Sequence, residues 1–161
     1  MRYWLMKSEP DEFSIDDLVK TRGQTTSWFG VRNYQARNYM RDHMQVGDLA
    51  FFYHSSCAVP GVYGIIEIAR AAYPDPTAWD PENHHYDPKS TPEQPLWDMV
   101  DVRFQREFKR PVTLSAIKAQ AVLKNMRLVQ RGSRLSVMPV TAREWNAILK
   151  LEKIVESTPE E

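Results

Sequence analysis

The chain has 161 residues, 42% of them hydrophobic and 26% charged, with a formal net charge of zero. That length suits one domain with a real core, while zero net charge excludes a generic polyanion binder and no apolar run is long enough to span a membrane. A single cysteine, Cys57, excludes an internal disulfide. Together with a start, Met1-Arg2-Tyr3-Trp4, that lacks a signal-peptide layout, it points to the cytoplasm or another reducing intracellular compartment.

Tyr3 to Ser8 is a short apolar and aromatic run, read as a strand that Glu9-Pro10 ends. Ser14 caps a short helix with acids in its first turn and a stop at Gly23. Gln24 to Ser27 reads as polar connection. Next comes the richest stretch, Trp28-Phe29-Gly30-Val31-Arg32-Asn33-Tyr34-Gln35-Ala36-Arg37-Asn38. It combines aromatic rings, arginines and side-chain amides, groups that suit a flat, polar ligand such as a nucleobase. Asn33 caps a helix running to about Met44, with Ala36, Met40 and Met44 at the spacing of a buried stripe.

Leu49 to His54 and Val62 to Ala69 read as strands of an antiparallel hairpin. Gly64, inside the second, marks a bulge or a close approach to the backbone. Tyr73 to Pro95 carries six prolines and reads as a long irregular surface loop with a covering role, or as a plain excursion. Leu96 to Phe108 alternates like a strand with one buried face, and a helical stretch follows near Ser115 to Leu123. Leu135 to Met138 is a last strand, closed by Pro139. Thr141 and Glu144 form a capping box for a final helix carrying Trp145, Ile148 and Leu149. The order β-α-α-β-β-loop-β-α-β-α suggests an α+β fold around a closed or partly closed small barrel.

Catalytic and metal signatures are weak. Cys57 follows His54 by three positions, but a lone cysteine among small residues is usually a packed one. His84 and His85 lie among Asp80, Glu82 and Asp87, yet adjacent histidines do not readily aim at one ion. Asp98 and Asp101 fall on opposite faces of a strand. The histidine loop also lacks a rigid helical frame, so no metal is expected, and with no phosphate-cradling glycine loop and no dinucleotide fingerprint no cofactor is expected either. Binding chemistry remains. Trp28, Tyr34 or Tyr53 can stack on a base, which contributes about 1–3 kcal/mol per base in other systems. Asn33 and Asn38 can meet a base edge, and Arg32 and Arg37 can hold phosphate. A core role for Trp28 and an ion pair from Arg32 to Glu9 or Asp48 are the plainer readings. Arg103, Arg106, Lys109, Arg110, Lys118, Lys124, Arg127, Arg131 and Arg134 surround only one acid, Glu107. They form a phosphate track or simply a solvated basic face.

Four separated pieces resemble the EVE domain family: Tyr3–Pro10, Trp28–Asn38, Phe51–Ser55 and Ser133–Thr141. The resemblance covers nearly the whole chain. It implies a PUA-like curved β-barrel of five or more strands with flanking helices, as one domain over 1–156 with a polar acidic tail over 157–161. It also implies a reader of nucleic acid, DNA or RNA, that holds a modified base such as methylated or hydroxymethylated cytosine in an aromatic pocket. Matched by motif, the pocket comprises Lys7, Ser8 and Glu9; Trp28, Arg32, Asn33, Tyr34 and Arg37; Tyr53, His54 and Ser55; and Ser133, Arg134 and Ser136. The alternative is a small hydrolase of a modified nucleoside or amide, like the ASCH relatives, with Lys7 or His54 in its chemistry. A third reading is a protein-interaction scaffold built on the Pro-rich loop.

Overall fold

Two strands buried on both faces anchor the architecture. The computed structural model describes residues 1–157. The acidic tail expected from Ser157 onward lies, beyond Ser157 itself, outside the described residues. Strand β1, Tyr3–Ser8, buries Trp4, Leu5 and Met6 in succession, and β3, Leu49–His54, buries every residue after its first. They pair in parallel, with Lys7 beside Tyr53 and Ser8 beside His54. Parallel strands enclosed on both sides read as unbroken apolar runs, which is why both were legible.

A parallel pair needs a long crossover. Here it holds α1 (Ile15–Lys20), β2 (Thr25–Ser27) and α2 (Tyr34–Asp42). Ser14 closes a capping box with Asp17, and Asn33 caps α2. Ala36, Met40 and Met44 are buried, as their spacing indicates. Strand β4, Gly61–Pro74, completes the hairpin with β3, and β5, Asp98–Thr113, pairs with β4 almost end to end. Gly64 is a site of close approach: a Cβ there would lie 2.3 Å from the Ile15 side chain and 2.5 Å from the Arg106 carbonyl. A short helix α3, Leu114–Lys118, a 3₁₀ turn at Ala121–Leu123 and a second at Arg127–Val129 lead to β6, Val137–Val140. Helix α4, Ala142–Ser157, follows the Thr141–Glu144 box. Its Trp145 stacks on Phe51 at 3.8 Å and on Tyr3 at 4.4 Å.

The six strands form one mixed sheet in the order β2-β5-β4-β3-β1-β6. The α+β class and the strand number are as expected, but the sheet does not close into a barrel. β2 and β6 end the ladder, and Pro139 in β6 has no N–H to offer a further partner. Because β6 is an edge strand, it tolerates Pro139 in its interior, opposite Trp4, rather than stopping before it. The stretch expected as polar connection, Gln24 to Ser27, contains β2 instead: three half-buried polar residues carry no periodic signal, and only pairing with β5 makes them a strand. The helix expected to Leu123 stops at Lys118.

A cavity at the open seam of the sheet

The gap between the two edge strands is occupied by a cavity of about 680 Å³. Small-molecule sites span roughly 300–1,000 Å³, so its size is that of a ligand pocket. Its lining comes from both edges: Thr26 and Ser27 on β2, and Arg134, Leu135 and Ser136 leading into β6. Lys7 and Ser8 enter from the end of β1, with Ser55 and Ser56 just past the neighbouring end of β3. The parallel pairing brings these segments together, and Ser55 N–H donates to the Ser8 carbonyl at 3.0 Å. Beyond β1 the chain curls. The Glu12 and Phe13 N–H groups donate to the Glu9 carbonyl, and the Ser8 hydroxyl donates to that of Phe13 at 2.6 Å. This sets Glu9, Glu12 and Phe13 on the rim.

The remaining wall is Trp28–Val31 with His84 and His85 from the Pro-rich loop. That loop is tightly fastened. Asp75, with no exposed side-chain surface, accepts from Gly30 N–H (2.8 Å), Arg32 Nη1 (3.0 Å) and both the N–H and hydroxyl of Thr77 (2.9 and 2.6 Å). Arg32 also donates to the His85 carbonyl (2.9 Å) and to Thr77 Oγ1 (3.1 Å). Burial alone would raise the Asp75 pKa; the hydrogen bonds from Gly30, Thr77 and Arg32 outweigh it and hold the carboxyl below its ordinary value. Gly30 is needed twice over. Its φ is +84°, and an added Cβ would lie 2.7 Å from the His85 ring.

Lys7, Ser8, Glu9, Trp28, Ser55, Arg134 and Ser136 therefore line the cavity, and the other residues picked out by motif do not. Arg32 pairs with Asp75 rather than with Glu9 or Asp48. Asn33 Oδ1 accepts the Ala36 N–H as the α2 cap. Tyr34 stacks on Trp97 at 4.7 Å, and Arg37 lies over Tyr34 and donates to the Leu96 carbonyl at 2.7 Å. Both arginines thus tie down the ends of the Pro-rich loop. Tyr53 is 2% exposed. His54 accepts the Ile15 N–H through Nε2 at the start of α1 and stacks on Tyr63 at 3.9 Å. Burial lowers the His54 pKa although Asp16 and Asp17 pull it upward, so the neutral imidazole is favoured. Ser133 Oγ is buried with no hydrogen-bond partner among the described residues.

Glu12, Phe13, Thr26, Ser27, Phe29, Gly30, Val31, Ser56, His84, His85 and Leu135 complete the lining without having been singled out as ligand contacts. The sequence marks the histidines only as a weak metal candidate, and the length of their loop as a sign of a covering role. Lys7 is half-buried, and burial lowers its pKa. Its ammonium lies 5.9 Å over the Tyr53 ring, and no described carboxylate is within ion-pair distance. The cavity therefore offers a cation, several hydroxyls and the indole of Trp28. An aromatic ligand bearing hydrogen-bond acceptors would use all three.

A family model described as the EVE domain matches residues 2–151. Human thymocyte nuclear protein 1 is 46% identical over 168 residues, covering 94% of this chain and 74% of that protein. The crystal structure of the human protein in complex with DNA containing 5-methylcytosine is similar at a TM-score of 0.92 and 46% identity, covering 99% of this chain and all (100%) of that one. A crystal structure of a Pseudomonas putida protein is 56% identical with a TM-score of 0.89, covering 93% and 99% of the two chains. An ASCH mutant protein from Zymomonas mobilis, 11% identical at a TM-score of 0.54 over 94% and 99%, shares the fold alone. Matched over nearly its whole length by the family model, this chain belongs to the EVE domain family.

Proposed function

We propose that this protein binds DNA and takes a modified cytosine, 5-methylcytosine above all, into the cavity at the open seam of its sheet. The observation that carries the proposal is the end-to-end likeness to a human protein whose structure holds 5-methylcytosine DNA. The cavity chemistry supports it. The base stacks on the part of Trp28 that faces the cavity, and its 5-methyl group meets apolar surface from Phe13, Val31 or Leu135. Lys7 and the hydroxyls of Ser55 and Ser136 meet its polar edge. Taking a base out of a duplex costs a few kcal/mol, which these contacts must offset. Arg127, Arg131 and Arg134 are exposed on the segment entering β6, where they can meet flanking phosphates. Arg103 and Arg106 instead engage Glu67 and Glu152. The proposal places the protein inside the cell, where the unpaired Cys57 meets a reducing environment. Among the described residues no helix is long and apolar enough to cross a membrane.

Fluorescence anisotropy with short duplexes carrying one cytosine, 5-methylcytosine or 5-hydroxymethylcytosine tests the reading, with the matching RNAs as a separate arm. The expected result is tighter binding of a modified duplex by about fivefold or more, roughly 1 kcal/mol. Arg134→Ala weakens binding to every duplex alike and lowers the salt dependence by about one unit of slope. Equal affinity for all cytosine forms at low salt would overturn the reader proposal. The hydrolase reading has only a distant likeness of fold in its favour.

A further inference from the structure

We infer that Glu12, His84 and His85 form a binding site for a divalent transition-metal ion of the zinc class on the rim of the cavity. The three residues come from two separate segments: the turn after β1 and the Pro-rich loop. One ligand atom from each lies within 4.8 Å of the other two. His84 Nε2 and Glu12 Oε1 are 3.4 Å apart. Zinc ligands about 2.0–2.2 Å from a tetrahedral ion lie roughly 3.4 Å from one another, so that pair already has the spacing of a coordination edge. A His85 ring nitrogen lies within 4.8 Å of both, and turning that ring outward, away from His84, completes the set.

Adjacency in sequence does not prevent the histidines from sharing an ion. The loop sets their rings 3.9 Å apart with 42° between planes. The backbone that presents them is held in place. His85 N–H donates to Asn83 Oδ1, its carbonyl accepts from Arg32, and the Asn83 N–H donates to the Asp80 carbonyl. The Glu12 N–H is fixed to the Glu9 carbonyl. Two neighbouring acids are otherwise engaged: Asp87 accepts from Trp97 Nε1 and Lys89 N–H, and Asp80 from Glu82 N–H. Two imidazoles and one carboxylate suit zinc, copper or nickel rather than magnesium or calcium, which prefer oxygen ligands. Three protein ligands leave a position for water or a donor atom of a cavity ligand. The ion would also join the turn after β1 to the loop across the cavity mouth. A plain His84–Glu12 ion pair is a weaker explanation of the arrangement, since both side chains are largely exposed and such pairs contribute little.

Isothermal titration of zinc into the untagged full chain at pH 7.5, without DNA, tests the site. The expected result is one equivalent bound, with His84→Ala and Glu12→Gln each weakening affinity by at least about tenfold, the loss that even outer-shell substitutions produce. Zinc should raise the melting temperature of the parent more than that of either variant, and magnesium should do neither. His43→Ala, on a different surface beside Arg2, should leave zinc affinity unchanged. Both altered ligands are exposed, and metal-free melts verify that the variants fold. Binding well below one equivalent, or equal affinity in parent and both variants, would overturn the site. Because no DNA is present, either outcome is independent of the base-reader proposal.

Discussion

Asp75→Ala lowers the stability of the protein by about 3 kcal/mol and loosens the loop wall of the cavity. The carboxylate is fully buried and accepts from Gly30, Thr77 and Arg32. Its loss leaves a guanidinium with only 21% side-chain exposure without its anion, and two backbone N–H groups without their acceptor. For a domain of this size, about 3 kcal/mol is a fall of roughly 6–12 °C in melting temperature. The effect depends on pH in a stated direction. The Asp75 pKa is held below its ordinary value of 3.8. Its stabilisation is therefore fully present above about pH 4 and is lost as pH falls through the lower folded-state pKa. Thermal melts from pH 7 downward should show parent and variant converging at the acid end. A variant that melts like the parent at pH 7 would show that the Arg32–Asp75 clamp does not hold the loop.

That clamp explains what sequence reasoning could and could not see. Arg32 and Arg37 look like phosphate ligands when only their neighbours are known. Their partners, Asp75 and the Leu96 carbonyl, lie 43 and 59 positions away in a loop whose path no periodicity encodes. Asn33 was legible both as a cap and as a base contact, and the cap is what the structure contains. The buried runs of β1 and β3, the α2 stripe and the Thr141 box were readable because local pattern determines them. β2 was not, since Thr25–Ser27 becomes a strand only through β5. Openness of the sheet depends on which edge strands fail to meet, and strand count carries no information on that. The four motif stretches do converge, because parallel pairing puts the ends of β1 and β3 side by side. His84 and His85 show how little adjacency says about placement: the turn holds their rings 3.9 Å apart, tilted by 42°, with His85 against Gly30.

Trp28→Ala carries a double cost, to stability and to binding. Trp28 is 7% exposed and meets Phe52 edge-on at 5.3 Å, so it belongs to the core as well as to the cavity wall. Removing a buried tryptophan costs about 3–5 kcal/mol, or roughly 6–20 °C in a domain of this size. Loss of a stacking platform costs about 1–3 kcal/mol in binding, roughly 5- to 150-fold in affinity for the methylated duplex. Trp28→Phe separates the two. It retains most of the core contact, keeps the melting temperature nearer the parent's, and narrows the platform. Titrations well below each variant's melting temperature keep unfolding out of the affinity. Undiminished preference for 5-methylcytosine in both variants would remove Trp28 from base recognition and leave it a core residue only.

The most direct measurement is a crystal structure of this protein with a short duplex carrying one 5-methylcytosine. The account predicts the methylated base turned out of the helix and seated between Trp28, Lys7, Ser55 and Ser136, with Arg134 toward the phosphates and Arg32 still on Asp75. A base left stacked in the duplex, or DNA bound on a surface away from the seam between β2 and β6, would contradict it.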